Sequence, residues 1–313
     1  MSRVMITGAS GLLGANLAHL AATEHQVVAV SGRRPLQLAG LISVSADLSR
    51  AGQAQRLLRE HRPDWVVHCA AATDLDRCER EPEWAQALNV GMARQVAEAC
   101  QELGARMAHI STDSVFDGAA GEYAEQDEPR PLNVYARTKL EGEQAVQAAC
   151  PGALVVRTNF FGWTISPRQS LAEWFLGRFE RGESTPGFAD VYFSPLLVDH
   201  LARILLELLG RGVQGLLHLP GATCLSKYEF GVRLAKAFQH NPALVYAASV
   251  QDAGLSAVRP LRTCLTGDRA AALLGRPLPD MEAGLDELRR TRGEWEGLRA
   301  AQPGLEELAH ESD

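Results

Sequence analysis

The chain has 313 residues, and its 31 Lys and Arg against 38 Asp and Glu give a formal net charge of −7 at pH 7. A hydrophobic fraction of 46% and a charged fraction of 22% are typical of a globular protein with a large buried core. The acidic balance argues against a general nucleic-acid or membrane-surface binder, and no apolar run reaches the length that spans a bilayer.

The placement of cysteine and histidine indicates neither a disulfide framework nor a metal site. The six cysteines are scattered without a C-x-x-C pair, and the nine histidines form no H-E-x-x-H motif. Reduced thiols of this kind are typical of cytoplasmic proteins. We therefore expect a cytoplasmic protein whose cysteines are mostly structural thiols, and we expect no bound metal.

Short apolar segments alternate with helical stretches through the first half of the chain. Strands are predicted at residues 3–7, 26–31, 41–46, 65–70, 105–112 and 153–158. A helix between the fourth and fifth of these ends at Gly104, a residue suited to a helix C-terminus. Continuous apolar strands joined by helices predict an α/β fold with a doubly wound parallel sheet, the Rossmann arrangement, over residues 1–158.

The pattern loosens beyond the sixth strand. Helices are predicted at 170–183 and 226–238, with a strand at 215–221 between them. Residues 249–284 are rich in Pro and Gly and are predicted to be mostly loop. No repeat or linker separates this half from the first. We assign 159–313 mainly to a smaller C-terminal substrate-binding lobe, part of which returns to the Rossmann domain.

The first strand leads directly into a glycine-rich turn, TGASGLLG. Gly8, Gly11 and Gly14 follow the spacing G-x-x-G-x-x-G at the start of a predicted helix. Glycines allow the backbone to turn sharply and to approach a pyrophosphate, whose charge is favoured at a helix N-terminus. A plain strand–turn–helix would need only one glycine. The turn therefore predicts a dinucleotide site, which also includes Ser10, Leu12 and Leu13.

The end of the second strand indicates which dinucleotide binds. It carries Arg33 and Arg34 and lacks the carboxylate that would bind a free ribose 2′-hydroxyl. Guanidinium groups suit a 2′-phosphate, so the pair predicts NADP(H), with a solvated basic turn as the alternative. Asp47 and Leu48, after the third strand, are predicted to contact the adenine, with helix capping as the alternative for Asp47.

The next two strands end in small or hydroxyl side chains. Cys69, Ala70 and Ala71 end the fourth strand and would let a cofactor lie close to the backbone, although tight packing explains them nearly as well. Ser111 and Thr112 end the fifth strand at the carboxyl edge of the sheet, where open α/β folds bind ligands. A turn or cap role is the alternative for this pair.

Tyr135 and Lys139 stand one helical turn apart in VYARTKLEGEQAV. The chain has three Lys against 28 Arg, so a Lys at this position suggests a task for which guanidinium is unsuited. A tyrosine ordinarily has a pKa of about 10, and a nearby ammonium group stabilises its phenolate. We expect Lys139 to lower the pKa of Tyr135, so that the tyrosine can transfer a proton.

The order of these motifs resembles the extended short-chain dehydrogenase/reductase family, and within it the dTDP-4-dehydrorhamnose reductase-like group. The stretches HCAAATDLDRCEREPEWAQALNV, ISTDSVFDG and YAEQDEPRPLNVYARTKLEGE carry the resemblance, which covers nearly the whole chain. It implies a catalytic triad of Thr112, Tyr135 and Lys139, with Lys139 also bound to the nicotinamide ribose. It further implies the NADPH-dependent reduction of a 4-keto-deoxysugar nucleotide, such as dTDP-4-dehydro-L-rhamnose, to the alcohol.

Two segments near the family's sugar-nucleotide site depart from the reductase pattern. TNFFGW stands where R-T-S-W is usual, and DVYFSPLLVDHLA replaces the usual D-Q-x-G-x-P-T. We predict that residues 170–183 and TNFFGW define the substrate pocket, and that Thr73, Asn159 and Phe160 contact the substrate. The expected partner is a sugar nucleotide, with a homodimer as a further expectation and neither nucleic acid nor membrane.

Two other functions fit the same motifs. One is a sugar-nucleotide epimerase or dehydratase, which retains NAD; 4,6-dehydratases usually follow the catalytic Thr with Asp-Glu, whereas Asp113-Ser114 stands here. The other is a non-catalytic NADP-binding regulatory subunit resembling the partner of methionine adenosyltransferase. The intact triad disfavours this second alternative, but a fold can persist after its chemistry is lost.

Overall fold

The computed structural model describes residues 1–32 and 35–302. The strands in this part of the chain are β1 (Arg3–Thr7), β2 (Gln26–Ser31), β3 (Leu41–Ser45), β4 (Trp65–His68), β5 (Arg106–Thr112), β6 (Leu154–Thr158), β7 (Phe160–Phe161), β8 (Thr185–Phe188), β9 (Tyr192–Phe193), β10 (Leu196–Leu197), β11 (Gly215–His218), β12 (Leu225–Ser226) and β13 (Val245–Ala248).

The α-helices of the described residues are α1 (Leu12–Ala21), α2 (Gln53–His61), α3 (Leu75–Arg80), α4 (Pro82–Gln86), α5 (Ala93–Leu103), α6 (Val134–Ala149), α7 (Leu171–Glu180), α8 (Val198–Gly210), α9 (Lys227–Ala237), α10 (Asp268–Leu274) and α11 (Met281–Ala300). A π-helical segment, Ala87–Met92, joins α4 to α5. The predicted end at Gly104 is confirmed, because this glycine adopts φ 71° and its N–H caps the helix.

A seven-stranded parallel sheet forms the centre of the fold, with the strand order β11-β6-β5-β4-β1-β2-β3. β1 pairs with β2 and with β4, so that Met5 lies opposite Val28 and Val66. The order reverses direction next to β1, and helices connect successive strands. The predicted α/β fold with a doubly wound parallel sheet is confirmed.

Alternate residues of the strands face two separate hydrophobic layers. On one side Val4 and Ile6 pack with Leu17 of α1 and with Leu201 and Leu205 of α8. On the other side Met5 and Val28 pack with Leu57 of α2, Val96 of α5 and Val146 of α6. Burial on both faces explains why these strands read as continuous apolar runs in the sequence.

The second half of the chain completes the sheet before it builds the lobe. β11 pairs with β6 in parallel, so residues 215–218 form the edge strand next to the first half. Three two-stranded pairs, β10 with β7, β12 with β9 and β13 with β8, lie outside the central sheet.

The prediction that 249–284 is mostly loop misses α10, whose buried side chains are Ala270 and Leu274 alone. Two buried residues among seven give too weak a hydrophobic period for a helix to be predicted.

The expectation of reduced cysteines is wrong for one pair. Cys224 and Cys264 form a disulfide with their Cα atoms 5.7 Å apart, whereas the other four cysteines are free. The two partners are separated by 40 residues, and only the tertiary fold brings them together.

Among residues 1–32 and 35–302, no helix is both long and apolar enough to cross a membrane.

Candidate active site

The glycine turn after β1 can accept a dinucleotide. Gly8 has φ +66°, and a Cβ built on it would lie 2.7 Å from the backbone nitrogen of Ala70. A Cβ on Gly14 would lie 2.2 Å from the carbonyl oxygen of Gly8. Gly11 begins α1 without a side-chain cap, so the helix N-terminus presents backbone N–H groups to a phosphate. The tight turn and the uncapped helix fit a pyrophosphate.

A first cavity of about 650 Å³ opens above this turn, at the carboxyl edge of the sheet. Of the predicted cofactor-site residues that the structure describes, all but Lys139 line this cavity. They are Gly8, Ser10, Gly11, Leu12, Leu13, Asp47, Leu48, Cys69, Ala70, Ala71 and Tyr135. Arg33 and Arg34 lie outside the described residues. The predicted substrate contacts Thr73, Asn159 and Phe160 line the first cavity as well. The structure therefore gathers nearly all predicted positions around one opening.

Asp47 does not cap a helix in this structure. Its carboxylate accepts hydrogen bonds from the backbone N–H and the hydroxyl of Ser49, at 3.1 and 2.5 Å. These bonds hold the pKa of Asp47 below its usual value. The turn they form places Asp47 and Leu48 beside the first cavity, and their contact with the adenine stays a prediction.

Tyr135 and Lys139 lie near the start of α6. Asn133 caps the helix by accepting a hydrogen bond from the N–H of Ala136 at 2.8 Å. Lys139 is 2% exposed, and its Nζ donates to the carbonyl oxygen of Ile110 in β5 at 2.6 Å. Tyr135, by contrast, reaches the first cavity. The helix therefore holds the ammonium group below the opening and the phenol within it.

Burial acts on the two pKa values in opposite directions. It raises the pKa of Tyr135 to about 12, against a hydrogen bond with Thr112 that lowers it. It lowers the pKa of Lys139 to about 8, while the carboxylate of Glu143 raises it. The expected lowering of the Tyr135 pKa by Lys139 is therefore not seen, because desolvation of the phenol outweighs other influences. Tyr135 is protonated at neutral pH.

The end of β5 carries a buried polar cluster that the sequence did not reveal. Asp113 is 1% exposed, and its carboxylate accepts hydrogen bonds from the hydroxyls of Thr112 at 3.1 Å and Thr263 at 2.8 Å. The amide of Asn159 donates to the same carboxylate at 3.1 Å. Burial raises the pKa of Asp113, and these hydrogen bonds oppose the rise. Asp113 thus ties the predicted catalytic threonine to two other segments.

A second cavity of about 270 Å³ extends from the same hydroxyl groups into the second half of the chain. Thr112, Tyr135 and Asn159 line both cavities. The other residues that line the second cavity are Leu75, Asp113, Ser114, Phe188, Val191, Phe193, Lys227, Val250, Leu255, Arg259, Pro260 and Thr263. Thr112 and Tyr135 therefore lie where a molecule in one cavity would meet a molecule in the other.

Lys227 is the cation in the second cavity that lacks a partner among the described residues. Its Nζ lies 5.8 Å from the ring centre of Phe193, and no hydrogen bond or ion pair joins it to residues 1–32 or 35–302. Burial lowers its pKa, and the charge of Asp113 raises it. Arg259, the other cation, is held by Asp76 at 3.2 Å. The rarity of lysine in this chain is the sequence signal that could have drawn attention to Lys227.

The structure places the segments predicted to define the substrate pocket unequally around the two cavities. Val191 and Phe193 of the departing segment 190–202 line the second cavity, but residues 170–183 do not. Helix α7 instead buries Phe175 and Phe179 in the core. Trp163 is also buried, and its Nε1 donates to the carbonyl oxygen of Leu288 at 2.8 Å. These aromatic side chains are structural.

Comparison with known proteins agrees with this geometry. A dTDP-4-dehydrorhamnose reductase of Mycolicibacterium smegmatis is 34% identical over 293 residues, which are 91% of this chain and 84% of the relative. The methionine adenosyltransferase 2 subunit beta of Danio rerio is 30% identical over 280 residues, or 87% and 84% of the two chains.

A solved structure is similar over nearly the whole chain. The dTDP-4-dehydrorhamnose reductase of Bacillus anthracis, in complex with NADP, superposes with a TM-score of 0.82 at 28% identity, and the match covers 92% of this chain and 99% of that one. The sequence model of the RmlD substrate-binding domain matches residues 2–292. The chain therefore belongs to the RmlD substrate-binding domain family.

Proposed function

We propose that this protein reduces a 4-keto-deoxysugar nucleotide, similar to dTDP-4-dehydro-L-rhamnose, to the alcohol at the expense of NADPH. The observation that carries the proposal is the position of Thr112 and Tyr135, two residues that line both cavities. Relatives named dTDP-4-dehydrorhamnose reductase and the NADP complex of the Bacillus anthracis enzyme support it. The first cavity would take the cofactor and the second the sugar nucleotide.

The first cavity fits NADP(H) through its glycine turn. The N-terminus of α1 and the backbone near Gly8 and Gly11 would hold the pyrophosphate, and Asp47 with Leu48 would contact the adenine. Arg33 and Arg34 are our proposal for binding the 2′-phosphate, on sequence grounds. When bound, NADPH supplies the hydride that reduces the carbonyl carbon.

Tyr135 is the proposed proton donor to the carbonyl oxygen. With a pKa raised to about 12 by burial, it is protonated throughout the neutral range, as a general acid must be. Thr112 donates its hydroxyl proton to Asp113, and it would orient the carbonyl oxygen beside the phenol by turning that proton toward the substrate. Lys139 would hold the cofactor's ribose and stabilise the phenolate once the proton has left.

The second cavity suits an anionic sugar derivative. Lys227 and Arg259 place two positive groups beside apolar surface from Phe188 and Phe193. A diphosphate would complement the cations, and the sugar would reach Tyr135 and Thr112. We propose that most of residues 159–313 acts as the substrate-binding lobe, with β11 returned to the domain of residues 1–158. A homodimer and a cytoplasmic location are further proposals from the sequence.

The two alternative functions account for fewer of the residues. A 4,6-dehydratase would need an acidic side chain where Ser114 stands. A regulatory subunit, which the similarity to the Danio rerio protein favours, would not need Tyr135 and Thr112 between two cavities. A reductase needs both residues between its two ligands, because Thr112 would orient the carbonyl oxygen and Tyr135 would protonate it.

The decisive experiment is an assay of NADPH oxidation with a panel of 4-keto-deoxysugar nucleotides that differ in sugar and base. We expect turnover with at least one, an alcohol product, and slower turnover with NADH. Formation of a keto sugar from a dTDP-hexose without net NADPH consumption would identify a dehydratase. Tight NADP(H) binding without turnover on any substrate would favour the regulatory subunit.

A further inference from the structure

The disulfide between Cys224 and Cys264 lies beside the strand pair of β9 and β12, in which Phe193 of β9 lines the second cavity. β12, directly after Cys224, pairs with β9, and Tyr192 of β9 also pairs with Arg262 on its other side. Tyr192 accepts a hydrogen bond from the N–H of Thr263 at 3.0 Å. The disulfide therefore links the two segments that flank β9.

Each cysteine lies within three residues, along the chain, of a residue that lines the second cavity. Thr263 directly precedes Cys264 and donates to Asp113 at 2.8 Å, and Asp113 in turn accepts from Thr112. Lys227 follows Cys224 by three residues and lines the same cavity. The chain segment closed by the disulfide also contains other residues that line the cavity, namely Val250, Leu255, Arg259 and Pro260. Six of the 15 residues that line the second cavity therefore lie in the segment that this covalent bond closes.

We propose that the Cys224–Cys264 disulfide is a positioning element of the second cavity, and that its reduction weakens sugar-nucleotide binding while leaving the NADP(H) site in the first cavity unchanged. The inference rests on the proposed function only for the identity of the ligand. A disulfide restricts the conformations of the segment that it closes. Without it, Thr263 keeps its hydrogen bonds to Asp113 and Tyr192, whereas Lys227 keeps the backbone hydrogen bond from its N–H to Val191 and the contact of its Nζ with the Phe193 ring.

The disulfide is open to exchange from one side. Cys224 is exposed, whereas Cys264 is 1% exposed. A thiolate of a dithiol reductant would attack the Sγ of Cys224, and Cys264 would leave as a thiolate and take up a proton. The second thiol of the reductant then releases Cys224 and closes its own disulfide. The protein gains two electrons and two protons, and the dithiol is oxidised.

The first arm of the test counts thiols and measures kinetics on the whole protein. Purified without reductant, it should show four reactive thiols after denaturation, and six after treatment with dithiothreitol. Reduction should raise KM for the keto-sugar nucleotide about tenfold, the size of effect that one misplaced charged hydrogen bond produces. KM for NADPH should stay the same. Cys224→Ala should copy the reduced state and ignore the reductant, whereas the control Cys150→Ala, at a buried free cysteine, should respond like the wild type.

The second arm does not depend on turnover. Acylation by an amine-reactive probe, read by mass spectrometry, should become faster at Lys227 after reduction relative to the exposed Lys236. A protein that never turns over sugar nucleotides would refute the proposed function, and this ratio would still test the disulfide. Six thiols even after exposure to oxidised dithiothreitol, or an unchanged KM and an unchanged Lys227 to Lys236 ratio on reduction, would overturn the inference.

Discussion

Lys139 and Tyr135 are one helical turn apart, yet only the lysine titrates close to the physiological range. Burial lowers the pKa of Lys139 to about 8 and raises that of Tyr135 to about 12. The ammonium group donates to the carbonyl oxygen of Ile110, and we propose that it stabilises the negative charge that appears on the phenol during turnover. The state of this lysine should therefore set the alkaline limit of activity.

We expect kcat/KM to be constant below about pH 8 and to fall about tenfold per pH unit above it. A lysine with a lowered pKa carries its charge below that pKa and loses it as the pH rises through it. Tyr135, with a pKa of about 12, contributes no change in this range. The measurement is the pH profile, with melting temperature followed in the same buffers. A flat profile up to pH 10 would contradict the assigned role of Lys139.

The sequence revealed Tyr135 and Lys139 because they are four residues apart, and it revealed the glycine turn for a similar reason. It could not reveal the contact of Asp113 with Thr263, whose residues are 150 positions apart and meet only through the tertiary fold. The same holds for Lys227, which reaches the second cavity from the start of α9. Short spacings along the chain were enough to predict Tyr135, Lys139 and the glycine turn. Asp113, Thr263 and Lys227 come together at the second cavity only through the tertiary fold, so the sequence could not predict them.

Helix α6 is joined to β6 by a buried ion pair one turn beyond Lys139. Arg157 donates from Nη2 to Glu143 at 2.7 Å, and both side chains are about 4% exposed. Ser111 at the end of β5 donates to the same carboxylate at 2.5 Å. This contact fixes α6, and with it Tyr135, against the two strands that end at the active site.

Glu143→Gln should destabilise the protein by about 3–5 kcal/mol, because it leaves the Arg157 guanidinium buried without its counter-charge. Glu143→Gln combined with Arg157→Met should recover much of that loss. Glu141→Gln, at an exposed site of the same helix, is the matched control. The measurement is the free energy of unfolding of each variant, from its urea unfolding curve. A loss of stability below about 1 kcal/mol for Glu143→Gln would show that the ion pair is not needed for folding.

Element length explains which secondary structure could be predicted. The long apolar strands of the central sheet appear in the sequence because burial on both faces removes polar residues from them. Strands β7, β9, β10 and β12 contain two residues each, which is too short for any period. Of these four strands, β9 contributes Phe193 to the lining of the second cavity, so part of that lining comes from an element that the sequence could not predict.

The two halves of the chain share one hydrophobic core. Val4 and Ile6 of β1 pack in the same cluster as Leu201 and Leu205 of α8, and Trp295 of α11 belongs to it too. β11 also covers the edge of β6. The molecule should therefore fold as one cooperative unit, although we propose different ligands for its two cavities.

A fragment of residues 1–158 should fail to reach a native state, because it exposes the sheet face that α8 covers. We expect helical far-UV circular dichroism, a weak near-UV signal and binding of a hydrophobic dye, in contrast to the full chain. Cooperative thermal unfolding together with NADP(H) binding by the fragment would show instead that the first half is an independent domain.

The central claim is that Tyr135 donates the proton, and Tyr135→Phe tests it most directly. The substitution removes one oxygen, so melting temperature and NADPH affinity should stay close to wild type. We predict that kcat on the keto-sugar nucleotide falls about 10²–10⁴-fold. Near-normal turnover by Tyr135→Phe would contradict the account, because another group would then have to donate the proton.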